Sequence, residues 1–287
     1  MKTRITQKSN LSSILNEPWV DTTRRVYCDG ETAYVPVRAG EPFDTEIADR
    51  HPGPGLSYQK MGDTIVLHGI RPNEAEFSAL LAWEHPACVL VQNACNGVMR
   101  IPETEVLYGT PHDVNFTEAG ISYTLNPVKV MFSQGNRNEK ARLCGLVRAG
   151  ERVADMFAGI GYFTLSAAKA GADVHAMEIN PESYQYLLQN ARANNLTIRA
   201  ECGDSRNLLD GIYERILMGH FDAPDFLPHA LAHSAPGTML HVHGLGDRKN
   251  EILAAVDNAG FKCTVSEHKV KKYTARVNHN VWDVKLL

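Results

Sequence analysis

One segment of this chain constrains its fold more than any other: a strand-like stretch with an acidic end runs into a glycine turn that opens a helix. The segment reads Asp155-Met156-Phe157-Ala158-Gly159-Ile160-Gly161-Tyr162-Phe163-Thr164. The surrounding pattern alternates, with strands over 151–157, 173–179, 197–201, 213–218, 238–243, 262–272 and 281–287, and helices over 161–170, 181–194, 223–233 and 247–259. Such alternation is typical of a mostly parallel sheet with helices on both faces. The sequence therefore predicts an α/β fold with a doubly wound sheet, whose ligand binds beyond the carboxyl ends of the strands.

The chain is long enough for two domains. At 287 residues it exceeds the usual size of one domain of roughly 150 residues. The first part carries short elements: strands near 35–37, 64–67, 87–92 and 98–101, a helix over 73–83 and a hairpin over 116–125. We expect a smaller α+β N-terminal domain over 1–125 that contacts RNA. The catalytic domain is expected over 126–287, led by a basic linker helix over 136–148.

Composition excludes several classes of protein. Hydrophobic residues make 44% of the chain and charged residues 22%, as in ordinary globular proteins. No uncharged apolar stretch of about 18 residues occurs, so no membrane helix is expected, and the N-terminus lacks the pattern of a signal peptide. The six cysteines form no CxxC pair, which favours reduced thiols and gives no sign of a metal site. These features favour a cytoplasmic protein, and a monomer is the simplest expectation.

The residues around the glycine turn favour a nucleoside ligand. Gly159 and Gly161 allow close approach of the backbone, and Phe157 stands beside them. Glu178 ends the second strand, where a carboxylate can accept from both ribose hydroxyls. Asp204 and Ser205 follow the third strand, where they can hold an adenine amino group.

Asp155 separates two candidate ligands. A dinucleotide would place its pyrophosphate at the helix N-terminus, where the Asp155 carboxylate would repel it. S-adenosylmethionine carries an ammonium and a sulfonium instead. Thr164 stands where a dinucleotide fingerprint has its third glycine. The pattern therefore favours S-adenosylmethionine and a class I, Rossmann-like sheet, although Asp155 is also suited to cap the turn as a purely structural carboxylate.

Residues 155–195 resemble the cofactor domain shared by two tRNA-modifying families. These are the tRNA guanine-37 N1-methyltransferases and the wybutosine-pathway aminocarboxypropyltransferases. The second family is matched better by segments outside that stretch, and the resemblance extends over roughly 95–287. Those segments are Arg100-Ile101-Pro102-Glu103, Leu107-Tyr108-Gly109, 129–143, Val270-Lys271-Lys272-Tyr273 and 279–284.

Two positions distinguish the families. The methyltransferases carry Ser-Pro-Arg where this chain reads Ser133-Gln134-Gly135, and an Asn-Leu-Pro-like turn where it reads Met218-Gly219-His220-Phe221. The aminocarboxypropyltransferases have Met-Gly there, usually followed by Tyr and Pro, so His220-Phe221 departs from both patterns.

The resemblance implies a reaction. The 3-amino-3-carboxypropyl group of S-adenosylmethionine would pass to C7 of 4-demethylwyosine at position 37 of tRNA-Phe, releasing methylthioadenosine. It also implies that Ser133 and Lys140 contact the cofactor. Two alternatives stay open: a guanine-37 N1-methyltransferase, and a catalytically inactive tRNA-binding protein.

Candidate bases follow from the chemistry, because C7 must lose a proton. The candidates are His220, Asp222, His241 and His243, since a neutral imidazole suits proton transfer near pH 7. His241 and His243 lie on one face of a strand and are equally suited to packing under a helix.

The tRNA anticodon region is the expected partner. The chain as a whole has a net charge of −4, but 120–152 holds six basic against two acidic residues and 248–287 holds eight against four. We expect Arg137, Lys271 and Lys272 to contact RNA. The aromatic side chains of Tyr162, Phe221 and Tyr273 could stack on a flipped base.

Overall fold

The computed structural model describes residues 1–24, 26–47, 56–132, 137–274 and 276–287, without the side chain of Arg137. The chain divides into two compact units. One comprises Met1–Ser57 and Arg71–Pro86, and the other comprises Tyr58–Ile70 and Ala87–Leu287.

The smaller unit is an antiparallel sheet with two helices. Its strands are β1 (Lys2–Gln7), β2 (Tyr27–Asp29), β3 (Thr32–Pro36) and β4 (Thr45–Glu46), in the order β2-β3-β1-β4. Its helices are α1 (Leu11–Ile14) and α2 (Glu74–Glu84). Asn73 and Glu76 form a reciprocal capping box at the start of α2, so the helix begins where the sequence predicted.

The larger unit begins with a four-stranded sheet and a hairpin. The sheet, in the order β5-β6-β7-β8, contains β5 (Tyr58–Met61), β6 (Thr64–His68), β7 (Cys88–Asn96) and β8 (Ile101–Gly109). The hairpin pairs β9 (Val114–Glu118) with β10 (Ile121–Leu125). A strand over 98–101 was predicted wrongly, because Val98 and Met99 are exposed in the turn between β7 and β8.

The remainder is the predicted doubly wound sheet. Its strands are β11 (Arg152–Asp155), β12 (Asp173–Glu178), β13 (Arg199–Cys202), β14 (Arg215–Met218), β15 (Met239–Leu245), β16 (Cys263–Lys272) and β17 (Asn278–Leu286). They lie in the order β13-β12-β11-β14-β15-β17-β16, and only β17 runs antiparallel to its neighbours. The chain turns back between β11 and β14, which is where ligands bind in such sheets.

Helices cover both faces of this sheet. They are α3 (Arg137–Leu146), α4 (Thr164–Lys169), α5 (Pro181–Ala193), α6 (Ser205–Leu208), α7 (Leu227–Ala232) and α8 (Lys249–Asn258). Alternate residues of the strands point to opposite faces. Ile216 packs in a core with Leu231 and Ile252 on one face, whereas Leu217 packs with Leu143 and Ala167 on the other.

The predicted domain boundary at 125 needs correction. The hairpin, β5–β8 and the Rossmann-like sheet form one unit, because Tyr123 and Leu125 share a core with Ile160 and Tyr186. Asn190 on α5 reinforces this packing. Its side chain accepts from the Thr124 amide at 2.7 Å and donates to the Thr124 carbonyl at 3.2 Å.

Asp155 fixes the turn between β11 and α4. It is fully buried, and its carboxylate accepts from the Thr164 hydroxyl at 2.7 Å and the Phe157 amide at 3.2 Å. Burial raises the pKa of Asp155 to about 6. The carboxylate is therefore a capping group inside the turn, the structural alternative that the sequence left open.

Substitution of Asp155 by Asn tests this assignment. The folded state binds the Asp155 proton more tightly than the unfolded state, whose pKa is near 3.8. Relative to Asp155→Asn, the free energy of unfolding of the wild type should be about 2 kcal/mol larger at about pH 4.5 than at about pH 7.5. This contribution is present at low pH and is lost as the pH rises through 6. Urea unfolding of both proteins at the two pH values measures this difference. A stability difference that does not vary with pH would contradict the buried carboxylate.

Candidate active site

A cavity of about 540 Å³ lies at the carboxyl edge of the Rossmann-like sheet. Strand ends and the β7–β8 turn meet there, as the switch point between β11 and β14 predicts. The lining residues are Gly97, Val98, Arg100, Met156, Phe157, Ile179, Gly203, Asp204, Ser205, Arg206, His220, Asp222, Asp225 and Phe226. We call this space the first cavity.

The predicted glycines have different roles. Gly159, at φ 57°, lines a smaller recess of about 100 Å³ beside the first cavity, together with Glu178. Gly161, at φ 107°, lines none of these spaces. A Cβ on Gly161 would lie 2.6 Å from Leu165, so this glycine is required for packing of the turn on α4.

Glu178 stands at the end of β12 as predicted. It is 9% exposed, and its two carboxylate oxygens accept from the Gly159 amide at 2.7 Å and the Asn180 amide at 2.8 Å. Burial raises its pKa, and the two backbone N–H groups oppose that shift. Each oxygen has a further lone pair, so the carboxylate can still accept from a ligand in the recess.

The aromatic wall of the first cavity, formed by Phe157 and Phe226, suits a flat ring. Phe157 stacks on the His220 ring at 5.3 Å between centroids and meets Phe226 edge-on at 4.9 Å. Asp204 caps α6 and pairs with Arg206, whose hydrogen bonds lower the pKa of that carboxylate. Ser205 is buried beside it. Phe157, Asp204 and Ser205 thus lie on the wall where the sequence expected the cofactor.

Besides Gly161, two of the predicted cofactor contacts, Asp155 and Lys140, line none of these spaces. Asp155 is enclosed by its own turn. Lys140 is 3% exposed and forms an ion pair with Glu118, near the rings of Tyr123 and Phe132. Ser133 lies outside the described residues.

Two predicted bases line the first cavity. Asp222 has 68% of its side chain exposed. His220 accepts from the Asp222 amide at its Nδ1, at 3.2 Å, while its buried Nε2 has no hydrogen-bond partner among the described residues. Burial lowers the pKa of His220, which keeps the ring neutral at pH 7. Because Nδ1 accepts, the neutral ring carries its proton on Nε2 and can donate there.

The strand histidines do not reach the cavity, and the predicted catalytic role of His243 is corrected accordingly. His243 is 1% exposed, and its Nδ1 lies 2.9 Å from Nε2 of His279. His241 donates to Asp283 at 2.6 Å and accepts from Arg215 at 2.6 Å. Both side chains face the layer of α3 and α4, so the alternative of histidines packed under helices is observed.

A second cavity of about 500 Å³ adjoins the first. Arg100 and His220 line both. The other residues around the second cavity are His68, Gly69, Gln92, Asn93, Ala94, Cys95, Met131, Phe132, Gly219, Phe221, Lys271 and Tyr273. Phe221 and Tyr273 meet edge-on at 5.1 Å between ring centroids. We call this space the second cavity.

The predicted RNA contacts divide between cavity and surface. Lys271 is half-buried in the wall of the second cavity, and burial lowers its pKa. Lys272 is exposed. Tyr162 packs against the hydrophobic core and lines the recess, and its hydroxyl donates to the Met131 carbonyl. Of the three predicted stacking residues, Phe221 and Tyr273 line the second cavity. The side chain of Arg137 lies outside the described part.

Sequence reasoning missed Arg100 as a site residue. Its segment carried part of the family resemblance. The position of Arg100 between the two cavities, however, depends on the pairing of β7 with β8, which the sequence alone does not reveal. Over the described ranges, no cluster of three or more metal-ligating side chains is present, and no helix is long and apolar enough to cross a membrane.

The chain is similar to known tRNA-modifying proteins. Residues 114–271 match the TRM5/TYW2 methyltransferase domain. The tRNA(Phe) (4-demethylwyosine(37)-C(7)) aminocarboxypropyltransferase of Methanocaldococcus jannaschii is 30% identical over 80% of this chain and 98% of its own length. The corresponding Pyrococcus horikoshii protein is 32% identical over 79% of this chain and 88% of its own length.

Solved structures confirm the Rossmann-like fold. P. horikoshii TYW2 in complex with MeSAdo is 27% identical and covers 80% of this chain and 90% of its own, with a TM-score of 0.70. M. jannaschii TYW2 in complex with AdoMet is 27% identical and covers 80% of this chain and 99% of its own, with a TM-score of 0.64. Trm5b from Pyrococcus abyssi is 23% identical and shares the fold over 100% and 99%, with a TM-score of 0.74. The chain therefore belongs to the TRM5/TYW2 family.

Proposed function

We propose that the protein transfers the 3-amino-3-carboxypropyl group of S-adenosylmethionine to C7 of 4-demethylwyosine at position 37 of tRNA-Phe. The observation that carries this proposal is the pair of adjoining cavities, which meet at Arg100 and His220. Two substrates can meet across such a junction. Homologous aminocarboxypropyltransferases and their structures with AdoMet and MeSAdo support the choice of reaction.

The first cavity fits the adenosyl part of the cofactor. Phe157 and Phe226 supply apolar surface for adenine, and Asp204 and Ser205 supply acceptors at its edge. Glu178 lies in the adjoining recess, where its carboxylate would accept from the ribose hydroxyls. When bound, the cofactor supplies a sulfonium, so that C7 bonds to the methylene carbon while the carbon–sulfur bond breaks with its electrons to sulfur.

The second cavity fits the nucleotide. Phe221 and Tyr273 offer aromatic surface for a base taken out of its stack. Gln92 and Asn93 offer amide groups to its edge, and Lys271 offers a cation to phosphate. RNA contact by the smaller N-terminal unit stays a prediction.

One side chain at the junction and one on the wall of the first cavity act on the base. His220 carries a proton on Nε2, which has no hydrogen-bond partner among the described residues, so we assign it the role of hydrogen-bond donor to the base. Asp222 carries an accessible carboxylate on the cavity wall and takes the proton that C7 releases.

The products test the proposed reaction. Wild-type protein incubated with S-adenosylmethionine and tRNA-Phe bearing 4-demethylwyosine should yield methylthioadenosine and a nucleoside heavier by one aminocarboxypropyl group. Unmodified tRNA should be inert, because guanine lacks the C7 nucleophile. Mass spectrometry of nucleosides and cofactor products measures both. Formation of S-adenosylhomocysteine and N1-methylguanine on unmodified tRNA would show a methyltransferase, and absence of cofactor binding would show an inactive protein.

Glu178→Gln tests the ribose contact. The substitution removes a charged acceptor in the recess, so affinity for S-adenosylmethionine should fall by about 1.5–3 kcal/mol. Isothermal titration calorimetry measures the affinity, and circular dichroism verifies that the variant is folded. Glu182→Gln is the matched control, because Glu182 is exposed at the start of α5 and lines none of the three spaces. Equal affinity in folded Glu178→Gln would disprove the contact.

Neutralising Lys271 and Lys272 tests the RNA contact. The double variant Lys271→Gln/Lys272→Gln should bind tRNA more weakly, and the slope of log affinity against log salt should shrink by about one to two. Cofactor affinity should stay the same. Lys262→Gln, at the other end of β16, is the control. An unchanged salt slope in the double variant would mean that neither lysine contacts RNA.

A further inference from the structure

Arg100 occupies the junction of the site. It lines the first cavity, the second cavity and the recess that contains Glu178. Its guanidinium carbon lies 5.8 Å from the centre of the Phe221 ring, on the side of the second cavity. A single cation therefore borders both the space for the cofactor and the space for the base.

The backbone of Arg100 is unusual. Its φ is 53°, in the left-handed region that side chains other than glycine seldom adopt. The Arg100 amide donates to the Gly97 carbonyl at 3.1 Å, which closes the β7–β8 turn and directs the residue inward. Such conformations are strained, and they are concentrated at functional sites.

The guanidinium has unused donor capacity. Its Nε is buried and has no hydrogen-bond partner in the described part of the chain. A buried donor without an acceptor is costly, and an anion supplied by a ligand would remove that cost. The Arg100 guanidinium thus offers a hydrogen-bond donor to a negatively charged ligand group at the junction of the first and second cavities.

Among the described side chains, the other cations around the site pair with carboxylates or lie outside the first cavity. Arg206 in the first cavity pairs with Asp204. Lys140 pairs with Glu118 and lines none of the three spaces. Lys271 lines the second cavity only. Among these, Arg100 is placed to meet an anion that extends from one cavity toward the other.

We propose that Arg100 binds the α-carboxylate of the methionine arm and so selects the carbon that is transferred. This inference rests on the proposed function. The arm ends in a carboxylate, and a guanidinium binds a carboxylate through paired hydrogen bonds. Holding that carboxylate at the junction extends the arm toward the base and presents its methylene carbon in place of the methyl carbon. Methylthioadenosine lacks the carboxylate, so the leaving product keeps no contact with Arg100.

Ligand affinities test Arg100 without requiring turnover. The variants are Arg100→Gln, Arg100→Lys and Arg100→Gly, the last being compatible with the left-handed backbone. The probes are S-adenosylmethionine, decarboxylated S-adenosylmethionine and methylthioadenosine, each titrated by calorimetry. Arg100→Gln and Arg100→Gly should weaken S-adenosylmethionine about 10- to 100-fold. The two probes without a carboxylate should bind as they do to wild type, and Arg100→Lys should restore part of the loss.

Product analysis supplies a second measurement. With modified tRNA, Arg100→Gln should raise the fraction of S-adenosylhomocysteine among cofactor products, because the arm is no longer held. Arg192→Gln is the control, since Arg192 is exposed near the end of α5 and lines none of the three spaces.

Several results would overturn the assignment. Equal weakening of all three probes would indicate a structural role for Arg100. Weaker tRNA binding at unchanged S-adenosylmethionine affinity would indicate a phosphate contact. A wild-type protein that forms no methylthioadenosine would instead refute the proposed function, whereas the affinity ratios report on Arg100 alone.

Discussion

The Glu178 carboxylate joins two strand ends, and the geometry of the site depends on it. One oxygen accepts from the glycine turn after β11, and the other accepts from Asn180, which caps α5. A single buried side chain thus fixes the path of the chain beyond two neighbouring strands. Phe157 precedes this turn and stacks on His220, which lines both cavities. The hydrogen bonds of Glu178 therefore also help to position Phe157 against His220. A carboxylate in this place has a structural role in addition to the binding role that we propose for it.

The alternation of strands and helices was predictable because each element buries a distinct apolar face. The sequence could not reveal which neighbours those faces meet. Val98 and Met99 are apolar and suggested a strand, yet the tight connection between β7 and β8 leaves them exposed. The boundary at 125 failed for a similar reason. The hairpin packs on α5 through contacts between residues far apart in the chain, such as Asn190 with Thr124.

Side chains that follow strand ends were located well, because parallel strands bring their carboxyl ends to one edge. Glu178, Asp204 and His220 all line the predicted cavity or its recess. Roles that depend on burial were harder to predict. Asp155 and His243 are the residue types that such chemistry uses, but surrounding layers enclose both. Arg100 escaped notice because its importance follows from a left-handed turn, which leaves no signature at an arginine position.

Two asparagines at the C-terminal end of α5 have a consequence for solubility. Asn190 and Asn194 bond to the backbone of Thr124 and Ser122 along the side of β10 that faces away from β9. These side chains occupy backbone groups that an open strand edge would offer to another chain, and such edges promote aggregation. Asn190 and Asn194 therefore protect the edge of the hairpin. Their loss would leave the two strands paired with each other but would expose the β10 edge to pairing with another chain.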